Sequence, residues 1–440
     1  MRCVAAFARL TVLSLALAGC IVVGIQEPTR TQRPASGRPD VSVEPDRRGE
    51  ALPPEREFDE VRALWVVRYT MTSAAAVREM VVAAEQAGIN TLIVQVRGRG
   101  DAFYASSLEP RGESVREGEG FDPLQLAIEE AHARGMAVHA WVNTHLVWGI
   151  GEAPQSSMHI LNANPDWLAV PRELGRELVG VDPFDVRFVE RLVQYARDRP
   201  RTVEGVYSSP SHPSVQDRVH AVWLDLVSRY DLDGIHFDYI RFPSPEFDYS
   251  IGALERFRLW ARSTLTPSRF ASLDDAYVAD LYAFVEGEPE LWAAFRREQV
   301  TRLVRRIYNG VKERMPRLVV SAAVVADATM AFDERYQDWR GWLEEGILDV
   351  AVPMAYTPDP ARFQALIRTA RASVSDPRRV WAGIGAYMTT AEGTIDMIDI
   401  ARTEGAGGVV LFSYDWAVGE GRGDPSNPFL QQVGRGRFRR

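Results

Sequence analysis

Cysteine is nearly absent from this chain of 440 residues, which contains only two cysteines. Both of them, Cys3 and Cys20, lie within the first 20 residues. The remaining sequence therefore has no disulfide bond, no thiolate metal site and no cysteine nucleophile.

The motifs of several common enzyme classes are missing as well. The seven histidines are scattered, and neither His-x-His nor His-Glu-x-x-His occurs, so zinc hydrolase chemistry has little support. The sequence has no Gly-x-Ser-x-Gly elbow and no phosphate-binding loop, and we expect neither a metal nor another cofactor. With 51 basic and 60 acidic residues and a net charge of -9, the chain also lacks the positive charge that nucleic-acid binding requires.

The N-terminus has the pattern of a secretory signal over residues 1–19. Two arginines precede an apolar run, Leu10 to Ala18, that is too short to span a bilayer permanently. The run ends in Leu-Ala-Gly-Cys, which resembles a bacterial lipobox and predicts lipidation of Cys20. An ordinary signal peptide with a chance cysteine is the alternative. The residue after the cysteine is Ile21 and not Asp. In a Gram-negative host this predicts a location at the outer membrane, facing the periplasm.

Two further segments follow the signal. Residues 20–57 are rich in Pro, Arg, Glu, Gly and Ser and contain too few apolar residues to form a core, which predicts a flexible linker behind the lipid anchor. Such an anchor attaches a chain to a membrane without making the chain membrane-spanning. We expect one folded domain over residues 58–435, and the sequence does not indicate an oligomeric state.

Within residues 58–435, apolar strand-like runs alternate with amphipathic helical patterns, as in parallel βαβ units. Eight such runs, with no Gly-x-Gly-x-x-Gly after the first, favour an α/β fold of the closed (β/α)8 TIM barrel type over a doubly wound sheet. Residues 150–213 and 244–290 are then loop insertions. The predicted strands start at Arg62, Asn90, Met136, Asp233, Arg317, Leu348, Arg379 and Gly407.

Strand alternation predicts which side chains enter the barrel mouth, because successive side chains point to opposite faces. In the fourth run, "DGIHFDYI", His236 and Asp238 share one face, while the apolar Ile235 and Phe237 share the face expected to meet helices. The same count places His139, Trp141 and Asn143 together in the third run, Gln95 and Arg97 in the second, and Met354 and Tyr356 in the sixth.

The aromatic and polar residues near the strand ends suit a sugar chain, since aromatic rings stack on pyranose faces and amides or guanidinium groups bind hydroxyls. The alternative for each aromatic residue is core packing, which is the commoner fate of Trp and Tyr. The candidates are Trp141, Trp148, Tyr239, Tyr356, Tyr387, Tyr414 and Trp416, with Arg97, Asn143 and Arg241.

Glycoside hydrolysis usually requires two carboxyl groups. Asp238 is the strongest candidate, because an acid at the end of an apolar strand is costly unless it is used; its alternative role is a structural acid held by Arg241 or by a backbone turn. Asp327 follows the fifth strand with inward parity and is our provisional second carboxylate.

Other acids near strand ends stay open as alternatives. Asp101 either binds substrate or fixes its loop through Arg97 or Arg99, and Asp415 competes with a role in a turn. The polar loop after the second strand supplies a further set of acids that we expect to be mostly solvated, one of which is an alternative proton donor. These are Glu109, Glu113, Glu117 and Glu119.

Four segments in order are similar to signature segments of the bacterial glycosyl hydrolase-like family ten. They are "QVRGRGDAFYASSLEP", "DPLQLAIEEAHARGMAVHAWVNTH", "DGIHFDYIRFP" and "YQDWRGWLEEGILDVAVPMAY". The resemblance runs from about Arg62 to Tyr414 and implies a secreted or lipid-anchored TIM-barrel glycoside hydrolase acting on polysaccharide, including peptidoglycan strands for some members. In the segments that match, the resemblance implies that seven residues lie in the cleft. They are Arg97, Asp101, His139, Trp141, Asn143, His236 and Asp238.

One segment departs from that family pattern. After "SSLEP" the relatives often continue with a Trp-Ser pair, whereas this chain reads "RGESVREGEG", so the resemblance does not support sugar contacts from that loop. We therefore predict an envelope glycoside hydrolase that cuts cell-wall glycan with a carboxylate pair. The alternatives are a non-catalytic glycan-binding barrel and, with less support, a polysaccharide deacetylase.

Overall fold

The computed structural model describes residues 59–418, 423–424 and 427–438. The predicted signal, Cys20 and the predicted linker lie outside these residues. Eight parallel strands form a closed barrel in which each strand pairs with its sequence neighbours and the first pairs with the eighth. In order they are Val61–Val66, Thr91–Arg97, Ala137–Asn143, Gly234–Asp238, Val319–Val325, Val350–Met354, Trp381–Gly385 and Gly408–Phe412. The predicted (β/α)8 barrel is confirmed.

Helices cover the outside of the barrel and begin at capping side chains. Asp122, for example, accepts hydrogen bonds from the backbone N–H groups of Leu124 and Gln125, which have no partner inside their own helix. The helices that connect the strands are Ala74–Gln86, Pro123–His132, Pro213–Arg229, Pro289–Arg314, Ala328–Glu334, Trp339–Glu345, Pro360–Ala372 and Ala391–Thr403. None of the helices in the described ranges is long and apolar enough to cross a membrane.

The two insertions contain regular structure of their own. The first has short strands Leu146–Gly149 and Gly205–Tyr207, which pair antiparallel, and helices Ile160–Ala163, Arg172–Gly175 and Val186–Asp198, with a 3₁₀ turn at Pro165–Trp167. The second has helices Ile251–Ala261, Pro267–Tyr277 and Ala283–Gly287. Each insertion also has a buried apolar cluster of its own.

The C-terminal part follows the eighth strand. It consists of helices Tyr414–Ala417 and Phe429–Val433, paired strands Gly423–Asp424 and Asn427–Pro428, and a π-helical turn, Gly434–Phe438. Two further 3₁₀ turns, Pro377–Arg379 and Ala386–Met388, flank the seventh strand. Phe438 in this last turn is buried and packs into the main core.

Side chains alternate along the strands as predicted. Phe237 points outward and packs its ring against that of Trp223 on the covering helix, with 5.2 Å between ring centroids. The inward side chains of the strands form a separate apolar cluster inside the barrel, which includes the indoles of Trp65, Trp141 and Trp381. The barrel interior is therefore a packed core, as is general for this fold.

Glycines on the strands make room for the large interior rings. A Cβ atom at Gly234 would lie 2.5 Å from the imidazole of His139, and one at Gly383 would lie 3.1 Å from the indole of Trp65. The His139 ring cannot move aside easily, because it is buried and lies against Trp381 with 5.8 Å between ring centroids. The absence of a side chain at Gly234 thus permits the packing beneath the barrel mouth.

Gly234→Ala is expected to destabilise the fold by about 1–3 kcal/mol, because the added methyl group overpacks the barrel interior. Chemical denaturation of the variant and the wild type measures this difference. Gly120→Ala is the matched control, since a Cβ atom at this exposed loop position meets nothing within 4 Å. Equal stabilities of the Gly234→Ala variant and the wild type would contradict the packing described here.

Candidate functional site

A cleft of about 740 Å³ opens at the carboxyl ends of the barrel strands. It is lined by aromatic rings, by arginines and by three carboxyl groups. The lining residues are Trp65, Val67, Arg68, Tyr69, Gln95, Arg99, Trp141, Asn143, Leu146, Glu204, Asp238, Tyr239, Arg241, Ala323, Val325, Ala326, Met354, Tyr356, Tyr387, Phe412, Ser413, Asp415 and Trp416.

Asp238 is the last residue of the fourth strand and only 7% of its surface is exposed. Its Oδ1 accepts hydrogen bonds from the backbone N–H of Tyr239 at 2.7 Å and from Nη1 of Arg241 at 3.2 Å. Burial raises the pKa of Asp238, and the charge of Glu204 raises it further, while Arg241 and the Tyr239 N–H oppose the shift. The cleft therefore contains a carboxyl group that holds its proton to higher pH than an ordinary aspartic acid.

The backbone turns sharply directly after Asp238. Tyr239 has a φ of 49°, which lies in the left-handed region that non-glycine residues rarely adopt. The backbone N–H of Tyr239, at the start of this turn, donates to the Asp238 carboxylate. The guanidinium of Arg241 then lies 4.4 Å from the centroid of the Tyr239 ring, a cation–π contact that fixes both side chains at the cleft wall.

Glu204 is a cleft carboxyl group that our sequence analysis did not identify. It lies in the first insertion, one residue before the short strand Gly205–Tyr207, and its side chain is exposed to solvent. The Tyr207 hydroxyl donates a short hydrogen bond to Oε2 of Glu204, and burial holds the pKa of Tyr207 well above its usual range, so that the hydroxyl stays a donor. No strand-end pattern marks Glu204 in the sequence, because its position depends on how the insertion folds back over the barrel.

Asp415 lies on the other side of the cleft, after the eighth strand. Its carboxylate accepts hydrogen bonds from the backbone N–H of Val67 at 2.7 Å and from Oγ1 of Thr70 at 2.6 Å. Burial raises its pKa. Asp415 therefore ties the loop after the first strand to the end of the eighth strand, which corresponds to the structural alternative in the sequence analysis.

Trp141 and Asn143 line the cleft floor in one hydrogen-bonded arrangement. Oδ1 of Asn143 accepts from Nε1 of Trp141 at 2.9 Å and from Nε2 of Gln95 at 3.2 Å. The amide nitrogen of Asn143 donates to the carbonyl oxygen of Gly98 at 2.8 Å. The orientation of the indole and the amide is therefore fixed before any ligand enters.

A wall of aromatic rings faces these polar groups. The Tyr356 ring centroid lies 5.6 Å from that of Phe412 and 6.0 Å from that of Tyr387, and the Tyr387 centroid lies 6.5 Å from that of Trp416. Tyr387 is 39% exposed, so its ring is open to a ligand. Three of the predicted cleft aromatics thus lie on one wall.

His236 and His139 point into the barrel as predicted, but they lie below the cleft and do not line it. Nε2 of His236 accepts a hydrogen bond from Nε1 of Trp65 at 3.1 Å, so its Nδ1 carries the proton and faces Oγ of Ser321 at 2.9 Å. Burial lowers the pKa of His236 well below its usual range and that of His139 to about 4. Both rings are therefore neutral packing groups, and His236 orients the indole of Trp65 in the cleft floor.

The structure places Arg97 behind the cleft and not in it. A register shift in the second strand between Gln95 and Arg97 interrupts the alternation from which we predicted its position. The Arg97 guanidinium is buried, donates to the carbonyl oxygen of Asn143 at 2.5 Å and pairs with Glu109 at 3.4 Å. Arg97 therefore supports the third strand from outside the cleft.

Asp101, Asp327 and Tyr414 are also outside the cleft lining. Asp101 accepts a hydrogen bond from the backbone N–H of Arg99 at 2.8 Å, which fixes its loop. Asp327 is exposed and caps helix Ala328–Glu334 by accepting from the N–H groups of Thr329 and Met330. The structure therefore does not bring Asp327 to Asp238, because the chain turns into a helix directly after the fifth strand.

The remaining predicted residues have local partners. Trp148 is buried in the first insertion and donates to the carbonyl oxygen of Glu152. In the loop after the second strand, Glu113 accepts from the backbone N–H of Gln155 and Glu117 from that of Ala74. Over the described residues, no three His, Cys, Asp or Glu side chains form a group that could hold a metal ion.

The sequence matches the family described as Glycosyl hydrolase-like 10 over residues 60–396. It is 29% identical over 326 residues to glycosyl hydrolase DigH of Escherichia coli strain K12, a match that covers 69% of this chain and 63% of that protein. It is 24% identical over 293 residues to glycosyl hydrolase YngK of Bacillus subtilis, covering 62% of this chain and 47% of that protein. The chain thus spans less than two thirds of the length of these relatives.

Solved structures share the fold at low sequence identity. The glycoside hydrolase domain of PgaB (BpsB) from Bordetella bronchiseptica superposes with a TM-score of 0.57 at 13% identity, covering 85% of this chain and 98% of that domain. The catalytic domain of β-amylase from Paenibacillus polymyxa gives a TM-score of 0.56 at 10% identity, covering 86% and 98%. The family match extends over most of the folded chain, and the protein therefore belongs to the Glycosyl hydrolase-like 10 family.

Proposed function

We propose that this protein hydrolyses O-glycosidic bonds in a polysaccharide and that Asp238 and Glu204 are its two catalytic carboxyl groups. The observation that supports this most directly is their common position in one cleft, where the charge of Glu204 raises the pKa of Asp238. Glycosidases of many families use two carboxyl groups in this way. The family membership agrees with this chemistry, and so do the names of the relatives DigH and YngK, which are both called glycosyl hydrolases.

The environments of the two carboxyl groups assign different roles to them. Asp238 is buried with a raised pKa, which suits the general acid that protonates the leaving oxygen. Glu204 is exposed and accepts a hydrogen bond from Tyr207, which suits the group that acts as base or nucleophile. Two carboxyl groups whose surroundings differ in this way are the usual means of dividing acid and base roles at one pH.

The rest of the cleft fits a sugar chain. Tyr356, Tyr387 and Trp416 offer ring faces for stacking on pyranose rings. Asn143 in the cleft floor and Arg241 beside Asp238 offer amide and guanidinium groups that bind hydroxyls. A lining of aromatic rings with a few polar groups is typical of pockets that orient a ligand.

We further propose a cell-envelope glycan as substrate, with the glycan strands of peptidoglycan as the first candidate. The support is the N-terminal sequence, whose secretory pattern and Leu-Ala-Gly-Cys motif predict a lipid anchor on Cys20 and a position facing the periplasm. Incubation of residues 58–440 with glycan strands freed of stem peptides, and with other envelope polysaccharides, tests this by mass spectrometry of the products.

A non-catalytic glycan-binding barrel is a second candidate function. The contact between Asp238 and Arg241 at 3.2 Å favours it, because an ion pair that only shapes the cleft wall needs no proton transfer. The two functions differ in what the wild type and the Asp238→Asn variant do. A hydrolase releases reducing ends that the variant no longer releases, although the variant still binds glycan, whereas a binding barrel releases none in either form.

Asp238→Asn and Glu204→Gln are each expected to lower kcat on the cleaved glycan by about 10²–10⁴-fold, the usual contribution of general acid–base groups. Reducing-end release measures kcat, and calorimetric titration measures glycan affinity, which we expect to persist in both variants. Asp327→Asn is the control, because this residue caps a helix outside the cleft and its loss leaves kcat unchanged. Full activity of the Asp238→Asn variant would contradict the acid role of Asp238, and a wild type that binds glycan but releases no reducing ends would favour the binding barrel.

We expect kcat/KM to fall at high pH, because Asp238 loses the proton that it donates as general acid. Arg241 favours the carboxylate and so lowers the pKa of Asp238. Arg241→Gln removes that effect and therefore moves the basic limb of the profile to higher pH. Arg362→Gln, at an exposed position on an outer helix, is the charge-matched control and leaves the limb in place. A basic limb that moves to lower pH in Arg241→Gln contradicts the acid role of Asp238.

A further inference from the structure

Two arginines, Arg68 and Arg99, lie together at the cleft wall formed by the loops after the first and second strands. Each guanidinium lies over a glycine: a Cβ atom at Gly98 would be 2.4 Å from Cδ of Arg68, and one at Gly149 would be 1.2 Å from Nη1 of Arg99. The glycines therefore provide the space in which both arginine side chains lie against the backbone.

Neither guanidinium forms an ion pair with a carboxylate of the described residues. Arg68 donates to Oε1 of Gln95 at 3.2 Å and to the hydroxyl of Tyr69 at 3.1 Å, which are both neutral acceptors. The side chain of Arg99 has no hydrogen bond to the described residues, and its Nε is buried without a partner. Asp101 accepts only the backbone N–H of Arg99.

Three arginines elsewhere in the described residues use their guanidinium groups differently. Arg296 donates to the carbonyl oxygens of Pro245 and Phe247 at 2.7 and 2.6 Å, and Arg379 donates to those of Leu343 and Leu348 at 2.8 and 2.7 Å. Arg241, the third arginine of the cleft, pairs with Asp238. Nε of Arg296 is also buried without a partner, so the difference lies in the terminal nitrogens: those of Arg296 and Arg379 donate to carbonyl oxygens, whereas the Arg99 side chain has no hydrogen bond to the described residues.

Placing two cations side by side opposes their charged forms. Burial lowers the pKa of Arg99, and the neighbouring charge of Arg68 lowers it further. Arginine nevertheless stays protonated at any physiological pH. A bound anion would offset the repulsion between the two guanidinium groups and would accept hydrogen bonds from their unused donors.

We propose that Arg68 and Arg99 form a subsite for a carboxylate group carried by a sugar residue of the glycan in the cleft. A guanidinium presents its donors in a planar fork that matches the two oxygens of a carboxylate. A single negative charge also suits the cleft better than a doubly charged phosphate, because Glu204, Asp238 and Asp415 line the same cleft. The subsite rests on the proposed function in one respect, namely that a glycan occupies this cleft.

The subsite is tested by kinetics on one glycan in two forms, native and with its carboxyl groups reduced to alcohols. Arg68→Gln and Arg99→Gln are each expected to raise KM for the native form roughly tenfold and to leave KM for the reduced form unchanged, with kcat similar throughout. Arg362→Gln is the control for the loss of one positive charge. Equal KM changes on both forms, or equal KM values of the wild type for both forms, overturn the subsite.

A binding experiment separates this proposal from the proposed hydrolysis. The full chain with Asp238→Asn is titrated with oligogalacturonate, a hyaluronan hexasaccharide and a muramic-acid-containing glycan fragment, each beside its carboxyl-reduced form. Tighter binding of at least one carboxylated form, lost in Arg99→Gln, supports the subsite even if the wild type releases no reducing ends. Affinity that is no higher for any carboxylated form than for its reduced form overturns the subsite, even if the wild type cleaves glycan.

Discussion

Burial of the Asp238 carboxyl group at the end of the fourth strand is the constraint on which the candidate site depends. An ionisable group in an apolar environment is costly unless nearby groups compensate for the loss of water. Here one backbone N–H and one guanidinium provide that compensation, and both come from the three residues that follow Asp238. Tyr239 has the left-handed conformation, and the same short turn that follows the strand supplies both of these groups.

The barrel supplies the rigid frame for this turn. Its interior is filled by tryptophan indoles and neutral histidines, with glycines on neighbouring strands where the rings need space. The directed hydrogen bonds from Trp65 to His236 and on to Ser321 fix the orientation of the indole in the cleft floor. Packing below the cleft therefore determines the shape of the surface that faces a ligand.

The arginines around the cleft divide into those that hold the structure and those that remain available. Arg97 supports the third strand from behind, and Arg241 lowers the cost of burying Asp238. Arg68 and Arg99 have no carboxylate partner among the described residues, although Arg99 lies only two positions after Arg97. Residues of one type within a few positions thus have different functions, because the strand ends between them and its register shifts.

The sequence was sufficient to predict the eight barrel strands and the inward faces of Trp141, Asn143 and Asp238, because long alternating runs determine both. The alternation of side chains along a strand does not indicate how deep in the barrel a given side chain lies. For this reason His236 and His139 were expected in the barrel mouth but lie below it. It also fails at the irregularity before Arg97. Helices Ala328–Glu334 and Trp339–Glu345 are too short to show a clear period, so the capping role of Asp327 was not predicted.

Glu204 was not predicted, because its place in the cleft depends on contacts between an insertion and the barrel, which are distant in sequence. The interaction between Glu204 and Asp238 is the central claim of this account. Carbon-13 NMR titration of aspartate-labelled protein, with the Asp238 signal assigned by its loss in Asp238→Asn, tests the claim without a substrate. We predict a midpoint above the ordinary aspartate pKa of about 3.9 that falls in Glu204→Gln, and a midpoint unmoved by that substitution would contradict the account.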